Sequence, residues 1–243
     1  MKDRQGRVPR LFVDAELRPR AKLALPEDAA HHAARVLRLH EGDAAVLFDG
    51  RGGEYEARLF MPGRGQVVAE IGEWRGIERE SPLAVTLVQA VSSGEKMDFT
   101  IQKAVELGVA AIQPLLTAKS MVRLSAEREA KKLARWKRVA IAACEQCGRN
   151  RVPEVREPVA IERFRAPAGA KILLSPLGTG KLAGLASGPL ALAAGPEAGF
   201  SAEEEQLLLR AGFEAVRLGP RTLRTETAAL AALAALNALA GDF

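Results

Sequence analysis

The sequence predicts an α/β protein in two parts, a small β-barrel over residues 1–75 and a parallel-sheet domain over residues 76–243. Three observations carry this reading. Short alternating segments at 44–49, 54–61 and 66–74, separated by Asp49-Gly50-Arg51-Gly52-Gly53 and Pro62-Gly63-Arg64-Gly65, have the spacing of barrel strands, with one helix over 27–38. Beyond residue 82, apolar runs alternate with helical patterns: 83–91 then 95–107, 111–116 then 126–146, and further runs at 171–175, 190–194 and 214–218. That alternation is the pattern of a parallel sheet. Finally, two glycine-bearing segments near the C-terminus each follow an apolar run and each open a helix. Arg75 to Pro82 reads as the linker.

Those two segments are Gly195-Pro196-Glu197-Ala198-Gly199-Phe200-Ser201 and Leu218-Gly219-Pro220-Arg221-Thr222-Leu223-Arg224-Thr225-Glu226-Thr227-Ala228. Ser201 with Glu204 forms a capping box that starts a helix over 202–211, and Thr225 is an N-cap candidate for a helix running to Ala240. The two loops are therefore expected at the carboxyl ends of neighbouring parallel strands, where an α/β sheet holds a small ligand. Glycine and proline also mark ordinary turns. Two such loops, carrying Glu197, Arg221, Arg224 and Glu226, favour a binding site.

Composition bounds the remaining possibilities. At 243 residues with 48% hydrophobic side chains the chain suffices for a packed core, and no apolar stretch reaches the length of a membrane span. The start Met-Lys-Asp-Arg-Gln-Gly-Arg lacks an apolar signal region, so a cytoplasmic location is expected. Cys144 and Cys147 form a C-x-x-C without a second ligand pair, on a helical pattern, and read as buried or incidental thiols. Gly178-Thr179-Gly180-Lys181 is not a Walker loop, because Ser175 stands where the first glycine belongs and Leu182 where Ser or Thr should bind magnesium. His31, His32 and His40 all lie in the N-terminal part with no G-x-S-x-G and no carboxylate at ligand spacing, which argues against a hydrolase triad and a metal site.

The net charge of +5 is locally distributed: residues 119–156 hold eleven basic and four acidic side chains, whereas residues 1–80 hold fourteen of each. Arg128, Lys131, Lys132, Arg135, Lys137 and Arg138 lie on one predicted helix. This run is either a solvated helix face or a phosphate-binding surface.

The quoted loops resemble those of the bacterial 16S ribosomal RNA uridine-N3 methyltransferases. Further matches are Glu95-Lys96-Met97-Asp98 with Gln102 to Val109, Glu145-Gln146-Cys147-Gly148-Arg149-Asn150, and Arg7-Val8-Pro9-Arg10-Leu11-Phe12-Val13, so the likeness covers nearly the whole chain. It implies a C-terminal trefoil-knotted SPOUT domain binding S-adenosylmethionine and an N-terminal PUA-like RNA-binding barrel. It also implies a homodimer, 16S rRNA or the small ribosomal subunit as partner, and no metal. One departure stands out. Ala198 occupies a position where the family usually has glycine, and positive φ there would strain the loop.

On this resemblance, backbone groups of Leu174, Ser175 and Pro176, of Gly195, Pro196, Glu197 and Gly199, and of Leu218, Gly219, Arg221, Leu223 and Arg224 are expected to cradle the donor. Neutral uracil N3 is a poor nucleophile, so the enzyme must favour its anion. Arg224 is the candidate for stabilising that anion. Glu226 is either the base, an orienting partner of Arg224, or compensation for the helix dipole; Glu197 positions the donor or the base. Arg7, Arg10, Arg149 and Arg151 are the candidates for holding RNA. Two alternatives stay open: a related enzyme acting on another RNA nucleotide, and a non-catalytic RNA-binding assembly factor with Ala198 as its support.

Overall fold

A computed structural model describes residues 8–63, 65–119, 126–184 and 188–243. The chain forms two compact units, and they are not divided by a single cut. One comprises Met1–Glu80 together with Cys144–Val152, the other Ser81–Ala143 together with Pro153–Phe243. The linear boundary after residue 75 does not anticipate that the segment carrying Gly148-Arg149-Asn150 returns to the first unit.

The first unit is built on a five-stranded sheet of order β1-β3-β4-β5-β2. Its strands are β1 (Arg10–Phe12), β2 (Lys22–Ala24), β3 (Ala44–Phe48), β4 (Glu54–Gly63) and β5 (Gln66–Arg75). β1 runs parallel to β3, and the other pairings are antiparallel. The three longer strands match the alternating segments of the sequence; β1 and β2, three residues each, are too short to show a period. The expected helix over 27–38 is α1 (Glu27–His31) continued by a π-helical turn over His32–Val36. Ala29, Ala30 and Ala33 bury against Leu11, Leu47, Leu59 and Ile71 of the sheet.

Two of the expected RNA ligands, Arg10 and Arg149, are ion-paired within this unit. The Arg10 guanidinium donates to Glu54 at 2.6 Å and also to Asn150 Oδ1, while Arg79 reaches the same Glu54 carboxylate at 3.2 Å. Arg149 is 4% exposed and holds Glu80 through Nε and a terminal nitrogen. Arg10 and Arg149 are therefore held by carboxylates, the buried Glu54 and the partly exposed Glu80, which a phosphate would have to displace to reach them. Arg151 stays exposed, with Glu78 3.5 Å away; Arg7 lies outside the described residues. Burial pushes the Cys144 thiol up to about 12, which leaves it an inert packed thiol in the C-x-x-C.

The second unit carries a seven-stranded parallel sheet of order β12-β10-β11-β6-β7-β8, with β9 pairing β7. The strands are β6 (Val85–Ala90), β7 (Ala111–Leu116), β8 (Glu154–Val155), β9 (Val159–Ala160), β10 (Ala170–Leu174), β11 (Leu190–Ala194) and β12 (Glu214–Val216). β11 is buried at every residue, as a central strand covered on both faces requires. Helices α2 (Gly94–Glu106) and α5 (Thr225–Ala240) pack on each other, and α5 also touches β11 and β6. Helix α4 (Ala202–Arg210) contributes Leu208, which buries with Val88, Ala191, Ala193 and Phe213. Helix α3 (Ala126–Cys147) follows β7, and its last four residues belong to the first unit.

Two details depart from the expected layout. β11 and β12 are not neighbours, because β10 lies between them, so the loop of Leu174, Ser175 and Pro176 sits between the two glycine-bearing loops. Thr225 is the first residue of α5 rather than its cap; Arg224, with φ −66° and ψ 155°, is the N-cap and makes no side-chain capping bond.

Candidate functional site

The carboxyl ends of β10, β11 and β12 release three loops that enclose a cleft of about 290 Å³ within the second unit. Leu174, Ser175 and Pro176 form one wall, Gly195 to Phe200 the second, and Arg217, Leu218 and Arg221 to Leu223 the third. Ala194, Glu205, Val216, Thr225 and Ala228 complete the lining. The volume is near the lower end of small-molecule pockets, and the mixture of apolar side chains with a few charges is typical of them. Of the predicted donor contacts, Gly219 and Arg224 are not among the lining residues.

Glycine is required here by close approach and by backbone conformation. A Cβ on Gly195 would lie 3.1 Å from the Phe200 nitrogen, so any larger residue there would push the second loop open by a few tenths of an ångström. Gly199 and Gly219 adopt φ of +69° and +73°. Ala198 is not in the left-handed region, where the described non-glycine residues are Arg20 and Arg38. Gly199 makes the turn, and the Ala198 substitution carries no backbone strain. The anticipated distortion of the loop is corrected accordingly, and the non-catalytic alternative loses its support.

Polar contacts from distant elements hold the second loop. Buried Gln89 donates to Thr225 Oγ1 at 3.0 Å, and Thr225 Oγ1 donates to the Gly195 carbonyl. This chain joins β6, α5 and the end of β11, which explains why a threonine stands at the first position of α5. Glu197 accepts from the Ser93 backbone nitrogen and from Lys96 Nζ, both at 3.2 Å. Burial raises the carboxyl, but hydrogen bonds from its own backbone, Ser93 and Lys96, with the Lys96 charge, outweigh it and hold Glu197 below the usual carboxylate range. Held this way, the Glu197 carboxylate ties the second loop to the start of α2.

Two further ties lie beyond β7. Lys119 Nζ lies 3.3 Å from the Ala198 carbonyl and 3.4 Å from that of Phe200. The Glu204 carboxylate, 4% exposed, accepts from Ser201 N at 2.8 Å and from Ala118 N at 2.7 Å. The predicted capping box is present, with Ser201 Oγ accepting from Glu204 N. Its glutamate does the additional work of anchoring the segment after β7.

At the remaining wall, Ser175 Oγ donates to Glu205 at 3.1 Å. Glu205, Lys96, Ser93 and Lys119 were missed in the sequence because nothing local pairs Lys96 with Glu197, 101 positions away, or Lys119 with Ala198. Gly178 and Gly180 have a structural role: Gly180 N bonds the Ala215 carbonyl at 3.0 Å, and a Cβ on Gly178 would sit 2.7 Å from the β12 backbone.

The catalytic candidates occupy the start of α5. Arg224 is exposed, whereas Glu226 is partly buried. Its Oε2 is shielded from solvent and has no hydrogen-bond partner among the described residues. Arg10 Nε, Gln89 Oε1, Ser92 Oγ and Asp98 Oδ1 share that condition, and of the five groups Glu226 alone stands beside Arg224 at the start of α5.

Comparison with known proteins gives this architecture a family. An RNA methyltransferase domain matches residues 79–237, and an RNA methyltransferase PUA domain matches residues 25–72. The ribosomal RNA small subunit methyltransferase E of Buchnera aphidicola is 32% identical over 98% of this chain and 96% of its own length. The protein of that name from Synechocystis is 35% identical over 95% of this chain and 77% of its own. Among solved structures, a Neisseria gonorrhoeae ribosomal RNA small subunit methyltransferase E bound to S-adenosyl methionine superposes with TM-score 0.88 at 42% identity, covering 97% of this chain and 99% of its own. A Legionella pneumophila protein in complex with the bound cofactor SAM gives TM-score 0.93 at 40% identity, covering 98% and 100%. A PUA-type domain followed by a methyltransferase domain, with relatives matching along nearly the whole length, shows that the chain belongs to the RNA methyltransferase family that includes the ribosomal RNA small subunit methyltransferases E.

Proposed function

We propose that this protein transfers a methyl group from S-adenosylmethionine to N3 of one uridine in 16S rRNA. The observation that carries the donor assignment is the cleft itself. Its apolar walls suit an adenine ring, its glycine loops bring backbone groups within reach, and Glu197, Glu205, Arg217 and Arg221 offer both signs of charge to an amino-acid tail. The donor supplies an activated methyl on sulfur, so the chain's own task is to align the acceptor and to manage one proton.

In this reading, Leu174 to Pro176, Gly195 to Gly199 and Leu218 to Leu223 hold the donor. Arg224, at the open end of α5, supports negative charge on the uracil carbonyl oxygens. Glu226 accepts the N3 proton, which its unpartnered buried oxygen favours. Glu197 shapes the donor loop through Lys96 and Ser93 and takes no proton. The target base must leave its stack to present N3.

Residues 1–75 act as the RNA-binding part and 76–243 as the methyltransferase part, with the chain threaded as a trefoil SPOUT knot and working in the cytoplasm as a homodimer. No described helix is long and apolar enough to cross a membrane. Ala229, Ala232, Leu233 and Leu236 of α5 are buried within the protomer, so the outer residues, including exposed Leu239, are left to meet a second copy. Arg7 and Arg151 remain proposed RNA contacts.

Donor binding measured by calorimetry, followed by turnover of Arg224→Ala at saturating donor and RNA, tests the reading. Micromolar donor affinity with turnover reduced at least a hundredfold is expected. Full turnover in that variant would remove Arg224 from the chemistry.

A further inference from the structure

With Arg10 and Arg149 turned inward, the cations that meet RNA phosphates must lie elsewhere, and α3 supplies a candidate. Arg128, Lys131, Arg135 and Arg138 recur at spacings of three and four residues, which places them on one helical face. All four are exposed, while Trp136, Ala140 and Ala143 bury the opposite side of the same helix. At 1.5 Å per residue the stripe is about 15 Å long. Among the described residues two carboxylates pair with it: Glu127 meets Lys131 at 2.6 Å with both groups largely exposed, a pair readily exchanged for phosphate, and Asp98 holds Arg135, whose side chain stays 60% exposed.

The stripe also has an address. Arg135 Nε donates to Asp98 of α2 at 2.7 Å, and two residues earlier on α2, Lys96 contacts Glu197 in the wall of the cleft. One short helix thus connects the basic face to the loop that borders the candidate donor site. We infer that the outer face of α3, through Arg128, Lys131, Arg135 and Arg138, is a sequence-independent docking surface for the phosphate backbone of the RNA substrate. This inference rests on the RNA methyltransferase reading. Its occupant is RNA because a linear array of exposed cations matches a chain of regularly spaced anions, and each neutralised phosphate releases counterions.

The test compares the full-length protein with the triple variant Arg128→Ser, Lys131→Ser, Arg138→Ser, and with the control Arg163→Ser, Arg165→Ser, Arg210→Ser, which removes the same charge from exposed sites off the stripe. Binding to unmethylated 16S rRNA is measured between about 50 and 200 mM salt. The stripe variant is expected to lose at least tenfold in affinity, and its slope of log K against log salt should flatten by about two, given roughly 0.7 per contact on single strands. Its KM for RNA rises while kcat, donor affinity and melting temperature stay at wild-type values, and the control keeps most of the wild-type slope. Equal affinity and slope in the stripe variant, or equal losses in both variants, would overturn the inference. Arg128→Lys with Arg138→Lys, which keeps the charge, should restore the slope; failure to do so would also count against phosphate docking. A wild-type protein that binds neither 16S rRNA nor small subunits would overturn the RNA reading itself.

Discussion

Lys96 Nζ lies 3.2 Å from Glu197 Oε1, joining the first turn of α2 to the wall of the cleft across 101 positions of sequence. With the bond from Ser93 N, this holds Glu197 ionised and fixes the loop before any ligand arrives. Preorganisation of that kind lowers the ordering cost of binding. Lys96→Met is expected to weaken donor affinity by about threefold to fivefold, the scale of a partly exposed ion pair. Because the Glu197 pKa is depressed in the folded protein, its contribution is complete above the ordinary carboxylate range and is lost as pH falls through the depressed value. In Lys96→Met the acid limb of donor binding should move to higher pH. Calorimetry from pH 4 to 8 checks both statements, and an unmoved limb would show that Lys96 does not govern Glu197.

Thr225 links Gln89 to the Gly195 carbonyl inside the protein. Thr225→Val keeps the shape but removes both hydrogen bonds, leaving a carbonyl of the donor loop without its partner. A loss of about 1–3 kcal/mol in stability is expected, with weaker donor binding. Thr225→Ser should recover most of both. Chemical denaturation of the two variants separates the hydroxyl from the methyl.

Glu54 sits among Arg10, Arg79 and Asn150, with its side chain 7% exposed. Burial raises its carboxyl, but the hydrogen bonds and charge of Arg10, with Asn150 and Arg79, more than compensate and hold it low. Glu54→Gln removes the negative charge that faces Arg10 and Arg79, leaving Arg10 with only the neutral acceptors Asn150 Oδ1 and the Arg149 carbonyl, and is expected to cost about 3 kcal/mol. Arg151→Ala, at an exposed pair, should leave stability unchanged within about 0.5 kcal/mol. If Arg10→Ala lowered RNA affinity without lowering the melting temperature, the inward reading of Arg10 would be wrong.

His32 Nδ1 lies 3.2 Å from Glu145. The hydrogen bond to that carboxylate raises the imidazole above its ordinary value, against burial. A raised folded pKa stabilises fully below the unfolded value, near 6.5, and the contribution disappears as pH rises through the folded value. His32→Gln should therefore melt lower than wild type at pH 5.5 and show a smaller deficit at pH 9. Equal deficits at both pH values would mean that the imidazole acts by packing.

Much of this was legible in the sequence, for identifiable reasons. β6, β7, β10 and β11 are apolar runs bounded by turns, and their positions follow from burial on both faces. The Ser201 and Glu204 capping box is local chemistry and appears as read. The order of strands is not local: placing β10 between β11 and β12 depends on chain crossing, which no window of residues encodes. The same holds for the site. Gly195 to Gly199 announces itself through backbone requirements, whereas Lys96, Lys119 and Glu205 gain their meaning only when other elements arrive beside them. Arg10 and Arg149 show the converse. Their charge reads as a phosphate ligand until Glu54 and Glu80 are found to neutralise it.

The central claim is tested most directly by incubating the protein with labelled S-adenosylmethionine and small ribosomal subunits or 16S rRNA from cells lacking this modification, then identifying the product nucleoside by mass spectrometry. The account predicts N3-methyluridine at one site, dependent on Arg224 and Glu226. Methyl transfer to a different atom or nucleotide would contradict the assigned target, and no transfer despite donor binding would contradict the assignment of 16S rRNA as substrate.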